Sequence, residues 1–192
     1  MSDLIRARRS IRRYHDRPVP PEQIERLLDC ATRAPSSHNR QPWRFAVITT
    51  AAVKAQLADR MGERLKADRL RDAERVLEID RDVSRSRERI TSAPVVIIVC
   101  LSSIDLDEAR ERAMALQSVA AAIENLLLAA HEAGLGACWM AAPLYCPDVV
   151  RKVLRLPDAW EAQALITVGY PADVNVDKHR ERIDFREITI YR

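Results

Sequence analysis

The chain has 192 residues, 47% of them hydrophobic and 31% charged, with a formal net charge of +3. That length suits one domain, expected over 1–192, with a core that needs no disulfide or metal. The apolar share excludes a disordered chain, and the even spread of charge argues against a membrane protein.

The first residues offer no apolar stretch with a small-residue cleavage site, so the cytoplasm is the expected compartment. Arg6, Arg8, Arg9, Arg12, Arg13 and Arg17 crowd the first 17 residues against Asp3 and Asp16, with Ser10 between them. A guanidinium is a planar fork of donors that stays charged, so the cluster suits a phosphate or an anionic ring edge. Taken alone it fits a solubilising or nucleic-acid arm equally well, although only Tyr14 is at hand for base stacking.

Behind Pro20 and Pro21, the spacing of Ile24, Leu27, Leu28 and Ala31 predicts an amphipathic helix from Pro21 to Arg33. A polar stretch from Ala34 to Pro42 follows, then a β-rich run from Trp43 to Thr49. Ser36, Ser37, His38 and Asn39 place hydroxyl, imidazole and amide groups on that loop, a set suited to a ligand edge or to a plain turn. Thr50 is a candidate cap for a helix carrying Val53, Leu57, Met61 and Leu65. The charged segment from Arg69 to Arg89 holds few apolar anchors and is expected to be solvated or mobile.

Val95 to Leu101 is an uninterrupted β-branched run, expected as a central strand. From about Asp105 the pattern returns to helix, apolar nearly all round beyond Ala113 and closed by Gly134 as its C′ residue. Gln117, Ser118, Glu124 and Asn125 interrupt this run, so no membrane-spanning helix is expected. Its burial would require cover on every side, which a second copy of the chain would supply. Glu124 and Asn125 are read as structural rather than as acid and ligand, the carboxylate pairing with an arginine across an interface. A strand from Ala137 to Ala141, a helix from Asp148 to Leu154 and a strand from Ala162 to Val168 come next. Alternation in Ile188 to Tyr191 suggests a terminal strand or an arm laid on a neighbour.

Four glycines, Gly62, Gly134, Gly136 and Gly169, cannot write a P-loop or a G-x-G-x-x-G turn. A phosphate would therefore be held by side chains. Cys30, Cys100, Cys138 and Cys146 lack C-x-x-C spacing, and the four histidines are scattered, so no metal site is expected. G-x-S-x-G is absent, which removes support for a serine hydrolase. Lys178, Arg180, Arg182 and Arg186 form a second basic group; two such groups converging on one anion would grip a phosphate.

Arg8-Arg9-Ser10-Ile11-Arg12, Pro35-Ser36-Ser37-His38-Asn39-Arg40-Gln41-Pro42-Trp43, Gly134-Leu135-Gly136-Ala137-Cys138-Trp139-Met140 and Gly169-Tyr170-Pro171 together resemble the FMN-dependent nitroreductase family, essentially end to end. The resemblance implies an α+β fold with a central mixed, mostly antiparallel sheet flanked by helices, in an intertwined homodimer with FMN at the interface. Arg8, Arg9, Ser10 and Arg12 match the opening flavin-binding segment. Pro35, Ser36, Ser37 and Asn39 match the loop supplied by the partner subunit. Arg89 matches a basic residue near the flavin ring, and Ser86 falls where an asparagine often sits. Ala141, Ala142 and Pro143 match the backbone laid against the flavin, and Arg180 and Arg182 match closing phosphate ligands. The charged segment from Leu70 to Arg89 corresponds to a substrate lid whose arginines would welcome an anion.

No catalytic side chain is required, because the flavin carries the chemistry. A fixed positive charge at its pyrimidine edge, assigned to Arg12 and Arg89, favours the two-electron reduced form. The activity implied is ping-pong hydride transfer from NAD(P)H through FMN to a small-molecule acceptor such as a nitroaromatic or quinone. Neither nucleic acid nor membrane is expected as a partner. Ala-Pro-Ser-Ser-His, Trp139 to Tyr145 and Leu156 to Glu161 also look like the flavin domain of the deazaflavin-coenzyme γ-glutamyl ligase, which implies the alternative of a deazaflavin-precursor reductase. An alternative of another class is a regulatory flavin- or nucleotide-binding module that never turns over.

Overall fold

A computed structural model describes residues 2–72, 75–104, 106, 108–172 and 181–192. Its elements in chain order are α1 (Ser2–Ala7), α2 (Pro21–Thr32), a 3-10 turn (Ser37–Asn39), β1 (Trp43–Ile48), α3 (Ala51–Arg71), α4 (Val76–Ser92), β2 (Val95–Ser102), α5 (Ala109–Glu132), β3 (Gly136–Met140), a second 3-10 turn (Ala142–Tyr145), α6 (Pro147–Leu154), β4 (Trp160–Gly169) and a third 3-10 turn (Phe185–Ile188). The strands form one sheet in the order β1-β2-β4-β3, every pairing antiparallel. The parallel component is a single bridge from Ser10 to Ala137. The architecture is α+β.

All eight residues of β2 are buried, as a β-branched run covered on both faces requires. Alternation sends Val95, Ile97, Val99 and Leu101 into a core shared with α2 and α5. Val96, Ile98 and Cys100 point the other way, toward α3, α4 and α6. A register shift at Val99/Cys100 bulges β4 at Gln163, so that Ala162 and Leu165 face the same core.

The structure sharpens the readings of Thr50, the charged segment and the tail. Thr50 stands at the N-cap of α3, but its side chain makes no capping bond; its carbonyl accepts from Lys54 N instead. Most of the charged segment is helix α4, solvated as expected along its outer face but docked through Ile79 and Ile90, which are fully buried. Lys66–Asp80, Arg69–Asp82 and Arg87–Asp59 pairs tie it to α3. In the tail, Ile188 ends a 3-10 turn (Phe185–Ile188) and the residues after it form no strand within the chain as described, which leaves the alternative of an arm; Ile183, Phe185, Ile188, Ile190 and Tyr191 are exposed.

Helix α5 begins at Ala109 and closes at Gly134, whose φ of +71° is the left-handed C′ conformation. Contrary to the expectation from its polar interruptions, α5 is long and apolar enough by length and composition to cross a membrane. In this fold Val119, Ala122, Ile123, Leu126 and Ala130 instead belong to the core beneath the sheet. Its opposite face, with Ala113 and Gln117, is exposed, and Ala120, Glu124 and Leu128 are half-buried.

Two glycines lie where no other residue fits. A Cβ at Gly136 would sit 2.7 Å from Ile11 Cβ, and one at Gly169 would sit 2.6 Å from Pro94 Cδ and 2.9 Å from the Tyr14 ring. Gly136→Ala should lower stability by about 1–3 kcal/mol through overpacking against a Cβ that cannot swing aside. Chemical denaturation of the two proteins checks this.

Arg112 on α5 holds Glu161 of β4 in a bidentate pair, 2.9 Å on one arm. These hydrogen bonds hold the Glu161 carboxyl below its ordinary 4.5, against the opposing effect of burial. A depressed folded value means that the pair's stabilisation is complete above pH 4.5 and lost as pH falls through the lowered value. The stability advantage of the native chain over Glu161→Gln at pH 7 should therefore shrink by pH 3, as read by denaturation at both pH values.

Candidate functional site

The arginine-rich amino-terminal segment is laid along the edge of the sheet. Ile11 N donates to Ala137 O at 3.0 Å, His15 N to Tyr170 O at 2.9 Å and Ala172 N to Arg13 O at 3.1 Å. The Tyr14 hydroxyl donates to Ile11 O at 2.6 Å and lies 2.7 Å from Thr167 Oγ1. Burial holds its pKa well above the ordinary phenol range. Arg17 stacks 4.0 Å over the Tyr170 ring. The segment is thus pinned on both sides of Arg12.

Of the cofactor candidates there, Arg8 is half-buried and pairs with Glu124 of α5 at 3.5 Å. Arg9 is exposed and donates to the carbonyls of Arg6 and Arg8. Ser10 forms the parallel bridge to Ala137, and Arg12 donates to the Ser10 carbonyl at 3.3 Å. Glu124 therefore takes an arginine partner as expected, but within one chain rather than across an interface.

Arg89 stands in the last turn of α4. Burial lowers its pKa from the ordinary value, and the guanidinium of Arg12 lowers it further. Arg85 acts in the same sense, while Cys138 and Glu88 oppose it. Among the described residues the Arg89 side chain has no carboxylate within ion-pair distance. Two guanidinium groups from segments 77 positions apart thus share a neighbourhood without a counter-anion between them. The end of α4 is fixed by Lys54, buried, whose Nζ donates to Ala93 O at 2.5 Å and to Pro94 O at 3.3 Å. Burial lowers the Lys54 pKa.

Ala141 is exposed, Ala142 is half-buried and Pro143 is buried, in the turn that leaves β3. Ala142 and Ser86 line one shallow cleft with Met61, Arg64, Tyr145 and Cys146. Arg64 there is neutralised by Asp68 at 2.8 Å and Asp148 at 3.2 Å. Burial raises the Cys146 thiol to about 11, so it is not a thiolate at neutral pH.

The loop of Pro35, Ser36, Ser37 and Asn39 is seated elsewhere on α5. Ser37 N donates to Ser118 Oγ at 3.4 Å, Ser37 Oγ lies 3.4 Å from Met114 Sδ, and Ser36 Oγ accepts from Gln41 N at 3.2 Å. Arg40 pairs with Glu111 at 2.9 Å. His38, Asn39 and Gln41 all have positive φ, of 51°, 54° and 48°. Strain of this kind in non-glycine residues concentrates at functional loops. Glu124 lies six residues beyond Ser118, about 9 Å along the helix and about 120° around it. One chain thus presents the loop and the arginine segment on different faces of α5.

Arg182 is exposed in the 181–192 stretch, and Arg180 lies outside the described residues. Sequence reasoning missed Lys54, since a lysine one turn into a helix carries no motif. It named Tyr14 and Tyr145 without the roles they take here, Tyr14 tying the arginine segment to the sheet and Tyr145 lining the cleft.

The chain matches the family model described as "Nitroreductase family" over residues 5–170. It is 33% identical over 175 residues to a Methanothermobacter thermautotrophicus protein assigned as an NADH dehydrogenase/NAD(P)H nitroreductase, covering 89% of this chain and 77% of that one. It is 31% identical over 189 residues to the 5,6-dimethylbenzimidazole synthase of Rhodospirillum rubrum, covering 95% and 87%. Among solved structures, a BluB-like flavoprotein from Clostridium difficile 630 superposes with a TM-score of 0.83 at 25% identity, covering 99% of this chain and 97% of that one.

Proposed function

The chain belongs to the nitroreductase family, and on that premise we propose that it is an FMN-dependent oxidoreductase. NAD(P)H would be its electron donor and a small conjugated organic molecule its acceptor. The observation that carries the reading is the Arg12–Arg89 neighbourhood, a pair of cations without a carboxylate partner among the described residues, beside the sheet edge on which Gly136 lets Ile11, and with it Arg12, be seated.

The donor set fits a flavin mononucleotide. Arg8, Arg9 and Ser10 offer charge-assisted hydrogen bonds to a phosphate, and Arg12 and Arg89 offer them to the carbonyl oxygens of the pyrimidine edge. Arg182, or Arg180, would close on the phosphate from the other end of the chain. Bound FMN would supply hydride acceptance and donation, and donor and acceptor would alternate over its exposed face. The chain's own contribution is orientation and charge. Arg12 and Arg89 hold a fixed positive potential where negative charge develops, without reorganising at the moment of transfer. Ala141, Ala142 and Pro143 present backbone to the ring.

Two copies would complete each site. Three features support a homodimer: the uncovered face of α5, the exposed apolar tail, and the placement of Pro35, Ser36, Ser37 and Asn39 away from Arg8 on α5. The loop of one protomer would reach the arginines of its partner.

The purified protein should be yellow, elute as a dimer and bleach anaerobically on addition of NADPH or NADH. Arg8→Ala and Arg12→Ala should each weaken FMN retention by about 1.5–3 kcal/mol, through loss of charge-assisted hydrogen bonds. Equilibrium dialysis checks this, and undiminished flavin occupancy in both variants would overturn the assignment. Colourless protein that retards DNA would favour the non-catalytic module.

A further inference from the structure

We propose that Arg85, flanked by Arg81 and Arg89 on one stripe of α4, forms a subsite for an anionic group, a carboxylate or phosphate, carried by the electron acceptor or donor. The inference rests on the flavin reading above and adds to it the class of substrate.

Arginines at 81, 85 and 89 recur every four residues and so stack along one face, about 6 Å apart and about 12 Å from end to end. Like charges at this spacing weaken a helix by a few tenths of a kcal/mol per pair, so the fold gains nothing from them. The neighbouring ions are satisfied by protein. Arg87 is held by Asp59 at 2.6 Å, Asp80 by Lys66 at 2.7 Å and Asp82 by Arg69 at 2.7 Å, while Glu78 lies 3.6 Å from Arg75. The stripe is not. Arg85 reaches only Asp82, at 3.7 Å, a carboxylate whose other oxygen is already held by Arg69. Among the described residues Arg81 and Arg89 have no ion-pair partner, and the remaining carboxylate of the stripe, Glu88, is exposed.

Position gives the stripe its purpose. Its carboxyl-terminal member, Arg89, adjoins Arg12, the residue assigned to the flavin edge. Arg85 lies one helical turn further out, next in sequence to Ser86, which lines the cleft together with Ala142 and Tyr145. An acceptor stacked on the flavin would place a substituent anion one turn from Arg89, within reach of Arg85. The uncompensated cations thus continue from the cofactor edge toward solvent, the direction from which substrate arrives.

The test compares 4-nitrobenzoate with 4-nitrobenzamide, which differ in charge, and NADPH with NADH, which differ in one phosphate. In Arg85→Ala the ratio of kcat/KM for 4-nitrobenzoate over 4-nitrobenzamide should fall about tenfold, the lower end of a charge-assisted contact for a half-exposed side chain. Arg85→Lys should restore most of it. Calorimetric binding of 4-nitrobenzoate to the oxidised holoprotein should weaken to the same degree and fade with added salt. A fall in the NADPH-over-NADH ratio instead would assign the subsite to the donor's phosphate. Unchanged ratios in a variant with full flavin occupancy overturn the subsite alone. A native chain that binds no flavin, or oxidises neither nicotinamide, overturns the reading beneath it and the subsite with it.

Discussion

The candidate site depends on a steric allowance, the absence of two Cβ atoms. Without hydrogens in place of side chains at Gly136 and Gly169, neither Ile11 nor Tyr14 could lie against the sheet edge. The backbone bonds from Ile11 to Ala137 and from His15 to Tyr170 would then have no geometry in which to form. Arg12 is carried between these two anchors, and its placement beside Arg89 follows from them. Glycine is scarce in this chain, and two of its four glycines serve this docking rather than a phosphate-binding turn.

The second constraint is electrostatic. Arginine is abundant, yet most guanidinium groups of the helical layer are matched: Arg64 to Asp68 and Asp148, Arg69 to Asp82, Arg87 to Asp59 and Arg112 to Glu161. Exposed pairs of this kind contribute little to stability. Their effect is to consume carboxylates, so that net positive potential collects where no acid was placed. That region runs from Arg12 through Arg89 and out along α4. The site's field thus reflects where countercharge is missing more than where cations are numerous.

The fold was largely legible because its elements carry strong local signals. Pro21 and the Ile24, Leu27, Ala31 spacing marked α2, and the unbroken β-branched run marked β2 to within a residue. Charge density gave the solvated face of α4 but hid the helix itself, since two buried isoleucines a helical stripe apart suffice to dock it onto α3. Alternation in the tail left strand and arm open, and Ile188 to Tyr191 finds no strand partner within the chain as described. Thr50 stands at the N-cap position, but its hydroxyl makes no capping bond, an orientation that residue type alone does not reveal.

By itself the sequence determined which residue types stand at which intervals: the apolar periods of the helices, the doubly buried strand, the glycine at the end of α5 and the arginine-rich segment with its family resemblance. These are properties of neighbours along the chain, readable because helix and strand periods are short. Only the tertiary structure decided that Arg12 comes within electrostatic reach of Arg89, that Lys54 closes the end of α4, and that the Ser37 loop and Arg8 occupy different faces of one helix. Such contacts join residues tens of positions apart through the sheet order β1-β2-β4-β3, and no local period encodes which distant segments that order makes adjacent.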